Sequence, residues 1–447
     1  QKHRSRSNMM TLQTLTLGCS KNKVDTEHIL SQLESSYEII PEGEDVSVDV
    51  LLINTCGFIG DAKEESVQAI LEAVERKRVG KAGKIVVFGC LSQRYADELP
   101  DLIPEVDAWY GARDFDPVVR ELGVEPSPDF ASRRYLTTPS HYAYLKISEG
   151  CDRRCSYCAI PFIRGAHKSV PIETLVKEAQ ALAEKGVKEL IIIAQDTTWY
   201  GLDLYRRRAL AELLQKLSEI DGIEWIRIHY SYPAAFPEDV LDQMADNPKV
   251  CRYMDIPLQH ISDKVLDNMH RNVTGAWTRE LIGKMRTRVP GVVLRTTMIV
   301  GHPGEGKRDF NELLEFVREA RFERLGAFKY SEEEGTYGAE NFKDSISAKT
   351  KQERLDELMT LQSDISWSFN QSRVGTEVKV IVDDFVDGVF VCRSEFESPE
   401  VDGEILVKYD AEALESVDPY SLVGEFMLVK VTGADEYDLI AEPIEIL

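Results

Sequence analysis

The sequence has no run of eighteen or more apolar residues, so it offers no segment that could cross a membrane as a helix. It is also short of positive charge, with 53 Lys and Arg against 77 Asp and Glu and a net charge of −24. Proteins that bind nucleic acids normally present basic surfaces to the phosphates, so this balance argues against free RNA and favours a basic protein as partner. The alternative is that the acidity only keeps the protein in solution.

An export signal is also missing. The basic opening Gln1–Ser7 has no apolar segment behind it, and we expect a disordered tail rather than a secretory leader. Without export, the eight cysteines belong to a reducing compartment, where thiols serve metals or catalysis rather than disulfides. The sequence therefore predicts a cytoplasmic protein.

The order of strand-like and helix-like segments divides the chain into three parts. Over residues 11–120, strand-like runs alternate with helical stretches, which predicts a small parallel α/β sheet. Over 141–374, six strand candidates alternate with helices and predict a partial parallel barrel of βα units. Over 375–447, five short strands predict a small antiparallel β-barrel. The proline-rich segment 117–139 is expected to be an exposed linker.

Cys151, Cys155 and Cys158, called the radical triad below, form a C-x-x-x-C-x-x-C run after a predicted strand. One loop can thus present three thiolates to three irons of a four-iron cube and leave the fourth iron open for chemistry. Zinc sites more often combine a C-x-x-C pair with a distant second pair. The remaining alternative is three cysteines packed as small hydrophobic residues.

Cys19, Cys56 and Cys90, called the N-terminal triad below, each lie just beyond a predicted strand and beside a glycine. Successive parallel strands end at the same sheet edge, so these thiols can converge on a second cluster. The glycines let the backbone approach it closely. The alternative is that each is an inert cysteine at a tight turn. Cys251 and Cys392 fall outside both triads and are expected in hydrophobic cores.

Longer segments around these cysteines resemble a known family. The radical triad, with Tyr157 before its last cysteine, resembles the radical S-adenosylmethionine superfamily. Gly18–Asp25, Asn54–Ile59, Cys151–Gly165 and Gly301–Glu305 resemble the methylthiotransferases within it. The resemblance covers nearly the whole chain. It implies a cluster-binding domain, a radical-SAM domain and a TRAM domain for the three parts in order.

The resemblance also implies cofactors and a mechanism. The radical triad would hold a [4Fe–4S] cluster that cleaves S-adenosylmethionine to a radical. The N-terminal triad would hold a second [4Fe–4S] cluster that carries the sulfur, and a second S-adenosylmethionine would provide the methyl group. No catalytic side chain beyond the two clusters is required, and an external electron donor such as flavodoxin or ferredoxin is expected.

Three further residues are expected to contact the S-adenosylmethionine. Tyr157 lies inside the radical triad, and Gln195 and Asp196 follow a strand of the predicted barrel, at its catalytic face. The alternatives are simple packing for Tyr157 and a cap at the strand end for the other two.

Within the family, Cys151–Cys155 and Pro257–Ser262 resemble the branch that methylthiolates the β-carbon of an aspartate in the twelfth protein of the small ribosomal subunit. The branch that modifies an adenosine of tRNA typically has an aromatic residue in the first cysteine spacing and a Gln-Ser-Gly element at Gln259–Ser262. From Thr376 onward, 19 acidic residues stand against 4 basic ones, which suits a basic ribosomal protein better than RNA. Direct RNA binding is therefore not expected. A tRNA-modifying enzyme and a non-catalytic iron–sulfur electron carrier remain the alternatives.

Overall fold

A computed structural model describes residues 9–447 of the chain. The tail predicted at residues 1–7 lies outside the described residues. Between residues 9 and 447, no helix is both long and apolar enough to cross a membrane.

The first part of the chain folds around a five-stranded sheet. Its elements are β1 (Met10–Thr16), α1 (Ser20–Leu33), β2 (Tyr37–Ile40), β3 (Val48–Thr55), α2 (Gly60–Arg78), β4 (Ala82–Gly89), α3 (Cys90–Arg94), α4 (Leu99–Leu102), β5 (Ala108–Trp109) and α5 (Asp116–Glu121). The strand order is β2-β1-β3-β4-β5, and all neighbours are parallel. β3 and β4 are rich in Val, Ile and Leu because a parallel sheet covered by helices buries both faces.

The second part forms a six-stranded parallel sheet with helices outside it. Its elements are β6 (Tyr142–Lys146), β7 (Ser148–Glu149), α6 (Ile160–Arg164), β8 (Lys168–Ser169), α7 (Ile172–Glu184), β9 (Glu189–Ile193), α8 (Leu202–Tyr205), α9 (Leu210–Ser218), β10 (Trp225–Ile228), α10 (Asp239–Asp246), β11 (Val250–Asp255), α11 (Asp263–Asn268), α12 (Gly275–Arg288), β12 (Val293–Val300), α13 (Lys307–Ala320), β13 (Arg324–Lys329), α14 (Tyr337–Asn341) and α15 (Ala348–Arg373). The order β13-β12-β11-β10-β9-β6 leaves the sheet open, as predicted for a partial barrel.

The last part is a closed barrel of five strands. They are β14 (Glu377–Val386), β15 (Val389–Arg393), β16 (Ile405–Lys408), β17 (Phe426–Ala434) and β18 (Leu439–Ile446). Four pairings are antiparallel, as predicted. The pairing of β16 with β18 is parallel and closes the barrel. The three-part α/β and β architecture is thus confirmed.

The segment predicted to be an exposed linker is packed instead. It contains the end of α5 and a 3-10 turn, and Arg134 within it is 2% exposed. Arg134 Nε donates to Glu27 Oε2 at 2.9 Å, and Nη1 donates to Glu178 Oε1 at 2.9 Å and to the Tyr144 carbonyl at 2.7 Å. Because Glu27 lies in α1 and Glu178 in α7, one guanidinium joins the first two parts of the chain. A buried arginine has no signature in hydrophobic periodicity, and the prediction of a linker was wrong for that reason.

Part of the acidity of the C-terminal barrel is used inside the protein. The Glu397 carboxylate is buried and pairs with Arg324 of β13 and Arg373 of α15. Burial would raise the pKa of Glu397, but the two guanidinium groups outweigh it and lower the pKa to about 2. In a second ion pair the barrel provides the arginine: Arg393 of β15 donates to Glu189 of β9, with Nη2 and Oε2 2.8 Å apart. Buried ion pairs therefore attach the barrel to the central sheet.

We expect Arg134→Met to destabilise the protein by roughly 3–5 kcal/mol, because it leaves the Glu27 and Glu178 carboxylates buried without a cation. The matched control is Arg133→Met, since Arg133 is exposed and its loss should cost at most about 0.5 kcal/mol. The measurement is the midpoint of urea unfolding of cluster-loaded protein. Equal midpoints for the two variants would show that the buried ion pairs of Arg134 do not stabilise the protein.

Candidate active site

The N-terminal triad lies on three neighbouring loops at the C-terminal edge of the first sheet. Cys19 lies between β1 and α1, Cys56 directly follows β3, and Cys90 opens α3 directly after β4. Because β1, β3 and β4 are adjacent in the sheet, their ends place the three loops side by side.

Two glycines allow these loops to touch. A Cβ on Gly18 would lie 2.8 Å from Cys56 Cβ and 3.0 Å from Cys56 Sγ, and a Cβ on Gly57 would lie 2.8 Å from Leu91 Cα. These distances are shorter than non-bonded carbon atoms tolerate, so only glycine fits at both positions. Gly18 also has a φ of +88°, a left-handed conformation that favours glycine. The thiols are thus gathered by backbone contact between their loops.

Cys19 differs from the other two thiols of its triad. It is exposed, whereas Cys56 and Cys90 are buried. Burial raises the pKa of Cys56, and it raises the pKa of Cys90 to about 11. The crowded surroundings of Cys19 also act to raise its pKa, but the Lys21 ammonium and the Asn22 backbone N–H outweigh them and lower it. The triad therefore combines one accessible, more acidic thiol with two protected ones.

The radical triad lines a cavity of about 480 Å³ between β7 and α6. Burial raises the pKa of Cys151 to about 12 and raises that of Cys158 as well. Over residues 9–447, no three His, Cys, Asp or Glu side chains converge where a single metal ion would sit. A zinc ion would draw each sulfur to about 2.3 Å from one point, whereas a cube accepts each thiolate at a different iron.

Gln195 and Asp196 both follow β9, but their side chains are engaged differently. Gln195 Nε2 donates to Glu149 Oε1 at 3.1 Å, while its Oε1 is buried without a partner among the described residues. Asp196 Oδ1 accepts from the Thr198 N–H and hydroxyl, and its Oδ2 accepts from Arg153 Nε at 2.8 Å. Gln195 thus keeps a free acceptor for a ligand, whereas Asp196 has the geometry of a strand-end cap.

Basic and aromatic residues around the radical triad were missed by the sequence analysis. Arg271 Nη1 lies 3.4 Å from both Cys155 Sγ and Tyr157 Oη, and the Tyr232 hydroxyl lies 3.7 Å from Cys155 Sγ. The Tyr232 ring is stacked by two guanidinium groups, that of Arg271 at 4.1 Å and that of Arg153 at 4.0 Å. Arg153 stands inside the cysteine run and could have been noticed there. Arg271 is too distant in sequence to give any signal.

Arg164, the last residue of α6, connects the two triads. Its Nε donates to Cys90 Sγ at 3.3 Å, so a residue just after the radical triad reaches a thiol of the N-terminal triad. Its Nη1 donates to Asp25 Oδ2 at 2.7 Å and Glu149 Oε2 at 3.3 Å, and its Nη2 donates to Asn22 Oδ1 at 2.5 Å. The helix that follows the radical triad therefore meets the N-terminal triad directly, across the space between the first two parts of the chain.

Other buried polar atoms near this space have no protein partner within residues 9–447. They are Ser148 Oγ, Gln195 Oε1, Gln259 Oε1 and Arg271 Nε. The first three lie close after β6, β9 and β11, at the C-terminal edge of the central sheet. Unpaired buried polar groups are costly, so their gathering at one edge fits a polar ligand there.

Three family descriptions match the chain in succession. They are the uncharacterized protein family UPF0004 at residues 11–111, the radical SAM superfamily at 145–317 and the TRAM domain at 374–444.

Curated relatives match almost end to end. The protein from Phocaeicola vulgatus named ribosomal protein uS12 methylthiotransferase RimO is 51% identical over 432 residues, which cover 96% of this chain and 98% of that protein. The protein of the same name from Bacteroides fragilis is 51% identical over 435 residues, covering 97% and 99%. Among solved structures, the radical S-adenosylmethionine methyltransferase TsrM from Kitasatospora setae aligns with a TM-score of 0.54 and 14% identity, over 74% of this chain and 78% of that one. At that identity the likeness concerns the fold.

We expect Cys19 in cluster-free protein to react with iodoacetamide about tenfold faster than Cys90 or more, because the thiolate is the nucleophile. Cys19 is exposed with a lowered pKa, whereas Cys90 is buried with a pKa near 11. Mass spectrometry of peptides after timed labelling measures both rates, and buried Cys251 serves as the unreactive control. Labelling of Cys90 as fast as Cys19 would contradict the inferred asymmetry.

Proposed function

Because the chain belongs to the RimO family of radical S-adenosylmethionine methylthiotransferases, we propose that it adds a methylthio group to the β-carbon of an aspartate in ribosomal protein uS12. The observation that carries this proposal is the presence of two cysteine triads in adjoining parts of the chain, with Arg164 of the helix after the radical triad donating to Cys90 of the N-terminal triad. An electron carrier needs no second site opposite its cluster, whereas sulfur insertion needs a sulfur source and a radical source at the same carbon.

The family implies S-adenosylmethionine and [4Fe–4S] clusters as cofactors. We assign one cluster to the radical triad and the other to the N-terminal triad, with Tyr157 and Gln195 beside the S-adenosylmethionine. When bound, these groups supply a radical that removes hydrogen from an unactivated C–H bond, and the sulfur and methyl that replace it. Such a carbon has no usable acidity, so the chain needs no general base there.

The chain's own residues have three tasks in this scheme. Arg271 and the Tyr232 hydroxyl hold the Cys155 thiol in place from one side. Arg164 places a positive charge against Cys90, which favours its thiolate form. The packed loops of the N-terminal triad shield Cys56 and Cys90 from water, and the half-buried Tyr157 lies inside the loop of the radical triad.

We assign substrate attraction to an outer acidic surface of the C-terminal barrel. Its members are all exposed: Asp384, Asp387, Asp410, Glu412 and Glu415. They form one surface because the backbone N–H of Tyr409 bonds the carbonyl of Gly388 at 3.0 Å, joining the β14–β15 turn to the following loop. A basic ribosomal protein suits this surface, and direct RNA binding does not. We further propose a cytoplasmic location and a flavodoxin or ferredoxin as electron donor.

The proposed activity is tested by incubating the cluster-loaded enzyme without oxygen with a reductant, S-adenosylmethionine and either uS12 or tRNA. Mass spectrometry should find a methylthio group on an aspartate of uS12 and leave tRNA unchanged. A methylthio group on adenosine would support the proposed radical chemistry but show that the substrate is tRNA and not uS12. If both clusters are intact and no 5′-deoxyadenosine forms, the proposal that the protein is a radical S-adenosylmethionine enzyme is wrong.

We expect mutations of the two triads to have different effects on the reaction. Replacing all three cysteines of either triad by alanine should remove about half of the bound iron. Loss of the radical triad should abolish 5′-deoxyadenosine formation, whereas loss of the N-terminal triad should preserve it and abolish only the methylthio product. Cys251→Ala is the control and should keep all the iron, because Cys251 lies outside both triads. Formation of 5′-deoxyadenosine without the radical triad would refute the assignment.

We expect the double variant Asp384→Lys and Glu412→Lys to bind uS12 about tenfold more weakly at low ionic strength, because it reverses charge on the outer acidic surface. The difference should fade as salt is raised. The control is Asp221→Lys with Glu224→Lys, the same change of charge at exposed positions before β10. Titrations at two salt concentrations measure the effect, and an equal loss in both variants would argue against this surface as the docking site.

A further inference from the structure

Lys21 is a buried cation that forms no ion pair with a carboxylate of residues 9–447. The residue is 7% exposed. Neighbouring lysines are different: Lys23 pairs with Glu400 at 2.9 Å, and Lys146 pairs with Glu149 at 2.7 Å. A buried charge without a counter-ion is costly, and such a group is retained where an anion from outside the chain completes it.

The Lys21 ammonium lies beside the N-terminal triad and contacts a segment that also reaches the radical triad. Lys21 follows Cys19 by two residues, and its Nζ lies 3.5 Å above the centroid of the Tyr230 ring, just beyond β10. Two residues further on, the Tyr232 hydroxyl lies 3.7 Å from Cys155 Sγ. The short segment Tyr230–Tyr232 therefore contacts the ammonium at one end and Cys155 of the radical triad at the other.

Tyr230 is held firmly beneath this ammonium. Its φ of +58° is a left-handed conformation, which a residue with a bulky side chain adopts only when its surroundings enforce it. Here its N–H donates to Asp255 Oδ2 at 2.8 Å, and its carbonyl accepts from the Thr197 N–H at 3.0 Å. The ring therefore positions Lys21 by a cation–π contact without neutralising its charge.

We propose that Lys21 binds the side-chain carboxylate of the substrate aspartate and makes the enzyme specific for an acidic residue. The inference rests on the proposed function, since it presupposes an aspartate substrate. The carboxyl carbon is bonded directly to the β-carbon, so a carboxylate held at Nζ brings the β-carbon close to the N-terminal triad, to which the sulfur-carrying cluster is assigned. An asparagine side chain has nearly the same shape but no charge, so it forms a weaker contact with the ammonium.

The test measures the affinity of the cluster-loaded enzyme, with S-adenosylmethionine present, for uS12 and for uS12 whose modified aspartate is changed to asparagine. The wild-type enzyme should prefer the aspartate form about ten- to hundredfold, the range of a hydrogen bond between charged groups. Lys21→Met, which keeps the length of the side chain, should bring the ratio close to one. Lys21→Arg should retain most of the preference. Lys23→Met is the matched control and should leave the ratio unchanged.

Iron content and S-adenosylmethionine affinity are measured on the same variants. Lys21→Met should keep both, because the lysine is assigned to the substrate. An intact aspartate preference in Lys21→Met overturns the inference, and loss of iron or of S-adenosylmethionine affinity with that preference intact reassigns Lys21 to a cofactor. If the wild-type enzyme modifies no aspartate of uS12, the proposed function fails and the inference falls with it. If it does and Lys21→Met keeps the preference, only the inference fails.

Discussion

The arrangement of this protein depends on the buried Arg164 guanidinium at the contact between its first two parts. Arg164 belongs to the helix after the radical triad, yet it contacts Cys90 and Asp25 of the first sheet. Asp25 in turn pairs with Lys146 of the central sheet, and Glu149 contacts both Lys146 and Arg164. Separating the two sheets would leave these charges buried without partners, at a cost of several kcal/mol. The main effect of such a network is to select one arrangement of the two sheets, and its contribution to stability is smaller. The spacing between the triads is therefore set by ion pairs as well as by packing.

Much of this architecture follows from local sequence rules, and the rest does not. The alternation of strands and helices predicted parallel sheets, and parallel sheets align their strand ends, so the grouping of Cys19, Cys56 and Cys90 required no knowledge of side-chain contacts. Contacts between distant segments had no such signal. Arg271 lies 116 residues from Cys155, and Arg134 lies in a segment without periodicity. Buried arginines follow no periodic pattern because their place is set by the carboxylates or sulfurs that they meet.

Composition also predicts net charge without showing where the charge acts. The acidic surplus after Thr376 suggested a surface for a basic partner, but Glu397 is buried between two arginines of the central part of the chain. Glu400 likewise pairs with Lys23 of α1. Glu397 therefore holds the barrel in place, and the charge of the exposed Glu400 is offset by Lys23. The exposed carboxylates of the outer acidic surface remain, so the argument for a basic partner rests on fewer charges, gathered in one region.

Long-range attraction and selection of one residue place different demands on the protein. Exposed carboxylates on the barrel raise the encounter rate with any basic protein, and salt screens them. They cannot select one aspartate from its neighbours, because an acidic surface repels that side chain. Selection requires a cation near the reacting carbon, and Arg164, Arg271 and Lys21 are candidates beside the triads. Arg164 is already saturated by Asp25, Glu149 and Asn22. Lys21 lies against the face of the Tyr230 ring and near the Cys19 thiol, and no carboxylate of residues 9–447 pairs with it. Arg271 also has no carboxylate partner among the described residues, but it lies against Cys155 and Tyr157 of the radical triad. Lys21 stands two residues from Cys19, so a carboxylate beside the N-terminal triad would meet a cation that no carboxylate of residues 9–447 already pairs with.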